Sequence, residues 1–427
     1  MDILKQVSMW EATSNERKQR SSLSGNQECD VVIIGGGFTG LSTAYHLQKK
    51  NIKTIVLEKG YLGCGASGRN GGQVLTGFID SMSSLAKKKG LDSARQMLQM
   101  SLDSIDLIER ISKENEIACS FNRSGHLYAA YKPTHIDWLR EEQEVLERDF
   151  NYKVQVIEKK DLQAEIKTDF YHGGCIDENS ATYHPFNYVL GLAETVEKYG
   201  GTIYENSEAL QIIKAPNRKV IIETPEGRVT AEHLVIVTNA YSGNLHKTIS
   251  RSIIPVESIM IATEQLPEEL VSKLIPKARA VYDTKHMLYY FRRTPDNRMA
   301  FGGSGRSLSG DTAPLYQKLK EGMDSVFPEL SKYKAEFCWS GKVGFTREML
   351  PYIGQLEDGT HFAFGYAGHG AAMSTLMGKL LAENILSENN GKNPFEKNDL
   401  RPIPFYSQHG KVVGLMKYYF KVKDAIS

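Results

Sequence analysis

The alternation of apolar and polar positions starts late in this chain. Residues 11–28 are polar and unpatterned, so residues 1–28 read as a leading arm anchored by Trp10. From Cys29 the pattern changes at once. Val31 to Ile34 form a continuous apolar, β-branched run, the composition of a buried parallel strand. Glycines follow, then a helical stripe of Leu41, Ala44, Tyr45 and Leu47 that Asn51 closes, then a second strand from Lys53 to Leu57.

From Leu91 to Phe150 the spacing is mainly helical and highly charged, broken by a strand-like stretch at 125–131. Residues 153–157 and 174–176 fit brief strands. His184-Pro185 opens a helix with Val189, Leu190, Ala193 and Val196 on its apolar stripe, and Gly200-Gly201 stops it. Short strands at 202–204, 210–213, 220–224 and 234–237 follow, separated by turn residues. More strands lie in 253–304, where Tyr289, Tyr290 and Phe291 alternate faces. A last strand at 361–365 leads into a helix over 371–385. No internal repeat interrupts this order.

Chemistry enters with the glycines. Gly35-x-Gly37-Phe38-Thr39-Gly40 follows a strand and opens a helix. Gly35 permits the tight turn, Gly37 lets a pyrophosphate approach the backbone, and Gly40 lets helix and strand pack closely. Glu58 ends the second strand, where a carboxylate accepts hydrogen bonds from ribose hydroxyls, with Lys59 beside it. This unit signals a dinucleotide without separating FAD from NAD. A second glycine-rich loop, Gly63-x-Gly65-Ala66-Ser67-Gly68-Arg69-Asn70-Gly71-Gly72-Gln73, begins five residues on. A backbone lying flat against a ligand, with N–H groups free to donate, suits a cofactor with a second planar ring system and so favours FAD. Arg69 supplies a cation there. A third motif, Gly365-Tyr366-Ala367-Gly368-His369-Gly370, runs into Ala371 and aims another helix N-terminus at the same ligand. Such an end favours negative charge developing on a reduced flavin.

Composition narrows the partners. The chain has 427 residues, long enough for two domains, and its 52 basic and 51 acidic side chains leave a net charge of +1. Neither nucleic acid nor an anionic membrane is expected as the main partner. Five scattered cysteines without a C-x-x-C pair argue against a disulfide framework and a metal site. No leader-like apolar segment and no stretch of about 18 apolar residues is visible, so a cytoplasmic protein without an integral membrane segment is expected.

Together the three motifs resemble the D-amino-acid oxidase-like FAD-dependent oxidoreductases, which include glycine and sarcosine oxidases. The 65–73 loop is similar to the signature of the gamma-glutamylputrescine oxidase branch. Tyr183-His184-Pro185 with Asn187, Asn239-Ala240-Tyr241, Phe301-Gly302-Gly303 and Gly368-His369-Gly370 follow in that branch's order. The likeness spans roughly residues 29–420.

The resemblance implies an α/β fold with an FAD-binding Rossmann-like, glutathione-reductase-type domain and a second, α+β substrate domain built on an antiparallel sheet. The first would take 29–90, 155–245 and 341–427, and the second 91–154 and 246–340. Ala209 joins the expected cofactor contacts. The implied reaction is oxidation of an amine or amino acid, with hydride passing to flavin N5, hydrolysis of the imine, and O2 as acceptor giving H2O2. A dehydrogenase with another acceptor, or a non-catalytic flavin subunit, would carry the same motifs.

Such oxidation needs a neutral amine and positioning more than an acid–base pair, so no catalytic triad is expected. His369, Tyr290 and Arg347 are the catalytic candidates. His184 fits a cap or a substrate contact, and Arg292 and Arg293 fit a carboxylate site or a solvated edge. Arg298 is the expected counterpart of the lysine that sarcosine-type oxidases use beside the flavin. The basic and aromatic tail at 411–423 fits an interfacial helix or one packed on its own domain.

Overall fold

The computed structural model describes residues 7–214, 219–304, 313–388, 391–404, 406–408, 414 and 424. The tail at 411–423 therefore lies outside the described residues apart from Gly414.

Among the described residues the chain builds two eight-stranded sheets. The first runs Tyr352–Gln355, His361–Phe364, Gly227–Ile236, Gly25–Ile34, Thr54–Leu57 and Thr202–Tyr204, with the hairpin Gln211–Lys214 and Val220–Glu223 branching from Gly227–Ile236. Its inner pairings are parallel. Parallel strands need crossover helices, and the apolar stripes read from sequence supply them. Phe38–Gln48, Pro185–Lys198 and Gly370–Ile385 bury their stripes against one face. Gly378 lets two of these helices touch, because a Cβ there would meet the Thr39 carbonyl oxygen at 2.5 Å.

The second sheet runs Ala335–Phe345, Ile254–Thr263, Met299–Ser304, Tyr289–Arg293, Ala280–Asp283, His126–Ala129, Gly173–Asp177 and Gln155–Glu158. It is antiparallel except where Ala280–Asp283 pairs with His126–Ala129. Tyr289 and Phe291 pack into the core behind it, while Tyr290 faces the first lobe.

Two segments lie elsewhere than the sequence suggested. Gln155–Glu158 and Gly173–Asp177, expected in the cofactor lobe, hydrogen-bond into the second sheet. Conversely, the helix Leu91–Glu114, expected in the substrate lobe, buries Met97, Leu98, Ile105 and Ile108 in the first lobe's core. Periodicity reports which face of an element is apolar, and it carries no information about which sheet that face will meet. None of the described helices is long and apolar enough to cross a membrane. All five cysteines are free.

Candidate active site

The first strand ends at Ile34, and the chain turns through Gly35 at φ +114°, a conformation L side chains rarely adopt. The turn delivers Gly37 to the N-terminus of Phe38–Gln48. A Cβ on Gly40 would sit 2.0 Å from the Gly35 carbonyl oxygen, so helix and strand approach as closely as the spacing demanded. Ser67, reaching over from the second glycine loop, accepts the Phe38 N–H at 3.0 Å. Glu58 closes the turn from the other side: its carboxylate accepts the N–H of Gly36 at 2.9 Å and of Gly60 at 3.0 Å.

These elements wall a cavity of about 760 Å³. Of the residues expected at the cofactor, Gly35, Gly37, Phe38, Thr39, Glu58, Lys59, Gly65, Ala66, Ser67, Asn70, Ala209, Gly368, Gly370 and Ala371 line it. The helix Gly370–Ile385 also points its N-terminus here. The first and third glycine motifs, both in the first lobe, are tied together where the Tyr366 hydroxyl meets Thr39 Oγ1 at 2.6 Å. Asn239 supports the third motif by accepting the Gly365 N–H at 2.9 Å.

The far end of the second glycine loop does a different job. Gly40, Arg69, Gly71, Gly72, Gln73 and His369 were expected at the cofactor, and none lines the cavity. Arg69 donates to the carbonyl oxygens of Cys64 and Ser340. Gln73 donates to those of Val281 and Phe291 in the second sheet. A Cβ on Gly71 would press on the Tyr290 ring at 3.1 Å. Gly72 sits at φ +65°, and its carbonyl oxygen accepts from Arg292 at 2.6 Å. So the loop has two faces, one toward the cavity and one bolted to the second sheet. Glycine richness signalled close approach without saying to what.

The polar candidates also resolve. His369 precedes the last helix, and its ring packs near Phe78, 6.2 Å between centroids. Burial, and then the charge of His126, push its pKa down to about 4, so it is neutral near pH 7. Tyr290 donates to or accepts from Ser258 Oγ at 2.9 Å. Arg347 lies in an exposed turn. His184 caps its helix, accepting the Asn187 N–H at 3.1 Å, with Thr13 on its other nitrogen. Arg292 is buried on the carbonyl oxygens of Gly72 and Tyr183, and Arg293 reaches Ser272. Arg298 pairs with Asp296 and Glu336, outside the cavity lining. The lysines at the wall are Lys59, paired with Glu208, and Lys342, 5.3 Å from the Tyr241 ring centroid. Sequence spacing offered no signal for Lys342.

The arm completes the site from behind. Trp10 is fully buried beneath the loop, 5.2 Å from the His184 ring. Ser8 donates to the Gly68 carbonyl oxygen. Arg17 pairs with Glu205, which also accepts the N–H of Leu62 at the loop's start.

A helix N-terminus, a carboxylate at the end of the next strand and a glycine backbone around one cavity fit a dinucleotide. Residues 30–384 match the DAO family, described as FAD dependent oxidoreductase. The chain belongs to that family. A probable oxidoreductase (OrdL) of Haemophilus influenzae is 34% identical over 90% of this chain and 88% of its own length. The gamma-glutamylputrescine oxidoreductase of Escherichia coli is 31% identical over 93% of each chain. Among solved structures, glycine oxidase from Geobacillus kaustophilus superposes with a TM-score of 0.73 at 22% identity, covering 87% of this chain and 98% of that one. L-proline dehydrogenase from P. horikoshii gives 0.70 at 20%, covering 92% and 99%. At that identity both likenesses speak to fold. The protein is thus an FAD-dependent oxidoreductase.

Proposed function

We propose that this enzyme oxidises the C–N bond of an amine or amino acid, of the gamma-glutamylputrescine kind, to an imine that water hydrolyses, with H2O2 as co-product. The observation that carries this reading is the wall between the cofactor cavity and the second sheet. Behind the cavity lining the second sheet presents aromatic and hydroxyl groups, Tyr290 with Ser258 against Gly71, and His369 is a neutral imidazole at the N-terminus of the helix whose first residues line the cavity. A site of that kind holds a neutral amine and orients its carbon without an acid–base pair. Bound FAD would supply the hydride acceptor for the carbon beside nitrogen, with O2 as the terminal acceptor.

The chain's own residues supply the rest. Gly35, Gly37 and the N–H of Thr39 would hold the pyrophosphate, and Glu58 the ribose. Gly368, Gly370 and Ala371 would set a helix N-terminus against the flavin's negative edge. Arg69, Gln73 and Gly72 fix the loop to the second sheet, so the cofactor and the substrate wall keep one relative position. The five free thiols fit a cytoplasmic setting.

The test is an anaerobic screen of the yellow holoenzyme against polyamines, their gamma-glutamyl conjugates and amino acids. Bleaching of the flavin near 450 nm by an amine supports the reading; a flavin that no amine reduces sinks it. Peroxide formed in air on a one-to-one basis with substrate supports O2 as acceptor, and bleaching without peroxide assigns a dehydrogenase instead.

A further inference from the structure

One transverse row crosses the second sheet on the face toward the cofactor lobe. Trp339, Met260, Gly302, Tyr290, Tyr282, Tyr128 and Cys175 occupy directly paired positions on consecutive strands. The first half of this row holds the cofactor loop. Trp339 donates to the Arg69 carbonyl oxygen at 3.0 Å, and Tyr290 lies between Gly302 and Gly71. The second half has no such duty.

Tyr282 stacks on Tyr128 at 4.5 Å and 27°, and Tyr128 meets Trp138 edge-on at 5.8 Å. The strands beneath are closed: Leu127, Ala129 and Val281 are fully buried. The rings of Tyr282 and Tyr128 are half-buried, Tyr282 with its hydroxyl on His126 Nε2 at 3.3 Å and Tyr128 against Ala130, Ile136 and Leu139, while Trp138 is 39% exposed. The Tyr128 hydroxyl makes no hydrogen bond among the described residues. A floor of half-buried aromatic rings thus continues from Tyr290 to the exposed Trp138.

The row ends under negative charge. Glu142 lies one helical turn past Trp138, half exposed, with one oxygen on the Ser83 N–H. Burial pushes the thiol of Cys175 up to about 12, and the charges of Asp177 and Glu142 add to it. Asp177 itself is spent on Thr76, Tyr152 and Asn179. Nearby cationic groups do not cancel this field: burial lowers the pKa of His126, and Arg279 is paired with Glu165 and Glu178. Aromatic faces attract cations and cover methylene chains, and a carboxylate at their end favours an ammonium.

We propose that Tyr282, Tyr128, Trp138 and Glu142 seat the far end of an elongated amine carrying a second ammonium group, and that they set a preference for long over short amines. This rests on the amine-oxidation reading, and it deepens it. From Tyr290 to Tyr128 the row spans two strand spacings, about 10 Å, beyond the reach of a small amino acid.

The test compares propylamine, putrescine, spermidine and gamma-glutamylputrescine on holoenzyme with unchanged flavin content. Calorimetric binding to the oxidised enzyme and anaerobic flavin reduction are both read. In Tyr128→Ala, binding of spermidine or gamma-glutamylputrescine weakens about tenfold, the limiting reduction rate holds, and propylamine is unaffected. Tyr128→Phe retains most of the affinity, and Glu142→Gln weakens spermidine and gamma-glutamylputrescine, which carry a further ammonium, and leaves propylamine unchanged. Equal losses for propylamine and the long amines, or none for either, overturn the proposal. Binding that depends on Tyr128 while no amine bleaches the flavin supports the subsite and rejects the amine-oxidation reading separately.

Discussion

Trp10 and Asn70, sixty residues apart, are joined by one hydrogen bond: the indole Nε1 donates to the Asn70 carbonyl oxygen at 2.7 Å. Asn70 in turn organises the cavity-facing loop. Its amide donates to the carbonyl oxygens of Ala66 and Ser67, and its Oδ1 accepts the Gly72 N–H at 2.9 Å. The arm is therefore part of the cofactor site. We expect Trp10→Ala to destabilise the protein by about 3–5 kcal/mol, the usual cost of emptying a buried aromatic position. Flavin affinity should fall with it, and Trp10→Phe, which keeps the packing and loses the bond, should lie between. Thermal denaturation and flavin titration of the apoprotein measure both. Wild-type stability in Trp10→Ala would show that the arm is only decoration.

Gly37 and Ser67 make the second prediction. A Cβ on Gly37 would lie 2.8 Å from Ser67 Oγ, the atom that accepts the Phe38 N–H. Gly37→Val should therefore displace the cap as well as crowd the pyrophosphate path, giving a folded but colourless protein. Ser67→Ala should cost about 1 kcal/mol of stability, the scale of a lost helix cap. Retention of flavin by Gly37→Val, read from its visible spectrum, would mean that this turn is structural alone.

The outline of the first lobe was legible because its signals are local. A β-branched run, three spaced glycines and an acidic strand end fall within Val31 to Glu58, and each dictates its own backbone conformation. What was not legible depended on partners distant in sequence. Gln73 and Arg69 sit in a loop whose glycines suit a ligand, but their side chains are satisfied by the carbonyl oxygens of Val281, Phe291, Cys64 and Ser340. Lys342 lines the cavity only because Ala335–Phe345 is the second sheet's edge strand beside Tyr241. The lobe assignment of 155–177 turned on pairing with His126–Ala129, which no period of two or 3.6 encodes.

Glu58 carries two duties, and a substitution separates them. The carboxylate holds the N–H groups of Gly36 and Gly60, and Glu58 lines the cavity. Glu58→Ala should weaken FAD binding by about 1–3 kcal/mol through the lost charged hydrogen bond, and lower stability in the apoprotein too. Glu58→Gln keeps an acceptor for one N–H, so it should recover apoprotein stability more than flavin affinity. An unchanged flavin dissociation constant in both variants would remove Glu58 from the ribose.

Acid sensitivity follows from four histidines, His184 and His361 buried and His46 and His369 half-buried. Burial pushes His46, His184, His361 and His369 from 6.5 down to about 4. Between those values the unfolded chain binds protons that the folded chain refuses, so stability rises with pH there and is lost as pH falls from about 6.5 toward 4. Asp283 acts with the opposite sign: burial raises its carboxyl to about 6, so below that pH the folded state binds the extra proton and gains. Four groups against one leave a net loss on acidification. The melting temperature should drop steadily from about pH 6.5 to pH 4.5, and replacing His184 with Asn, which keeps a cap acceptor without the titrating ring, should flatten part of that slope. Because His369 is already neutral above about pH 5, an alkaline rise in the flavin reduction rate between about pH 6 and 9 belongs to the substrate ammonium losing its proton. His369→Asn should retain that rise. Its disappearance in the variant would make His369 the titrating base and show that its pKa lies well above the value burial imposes.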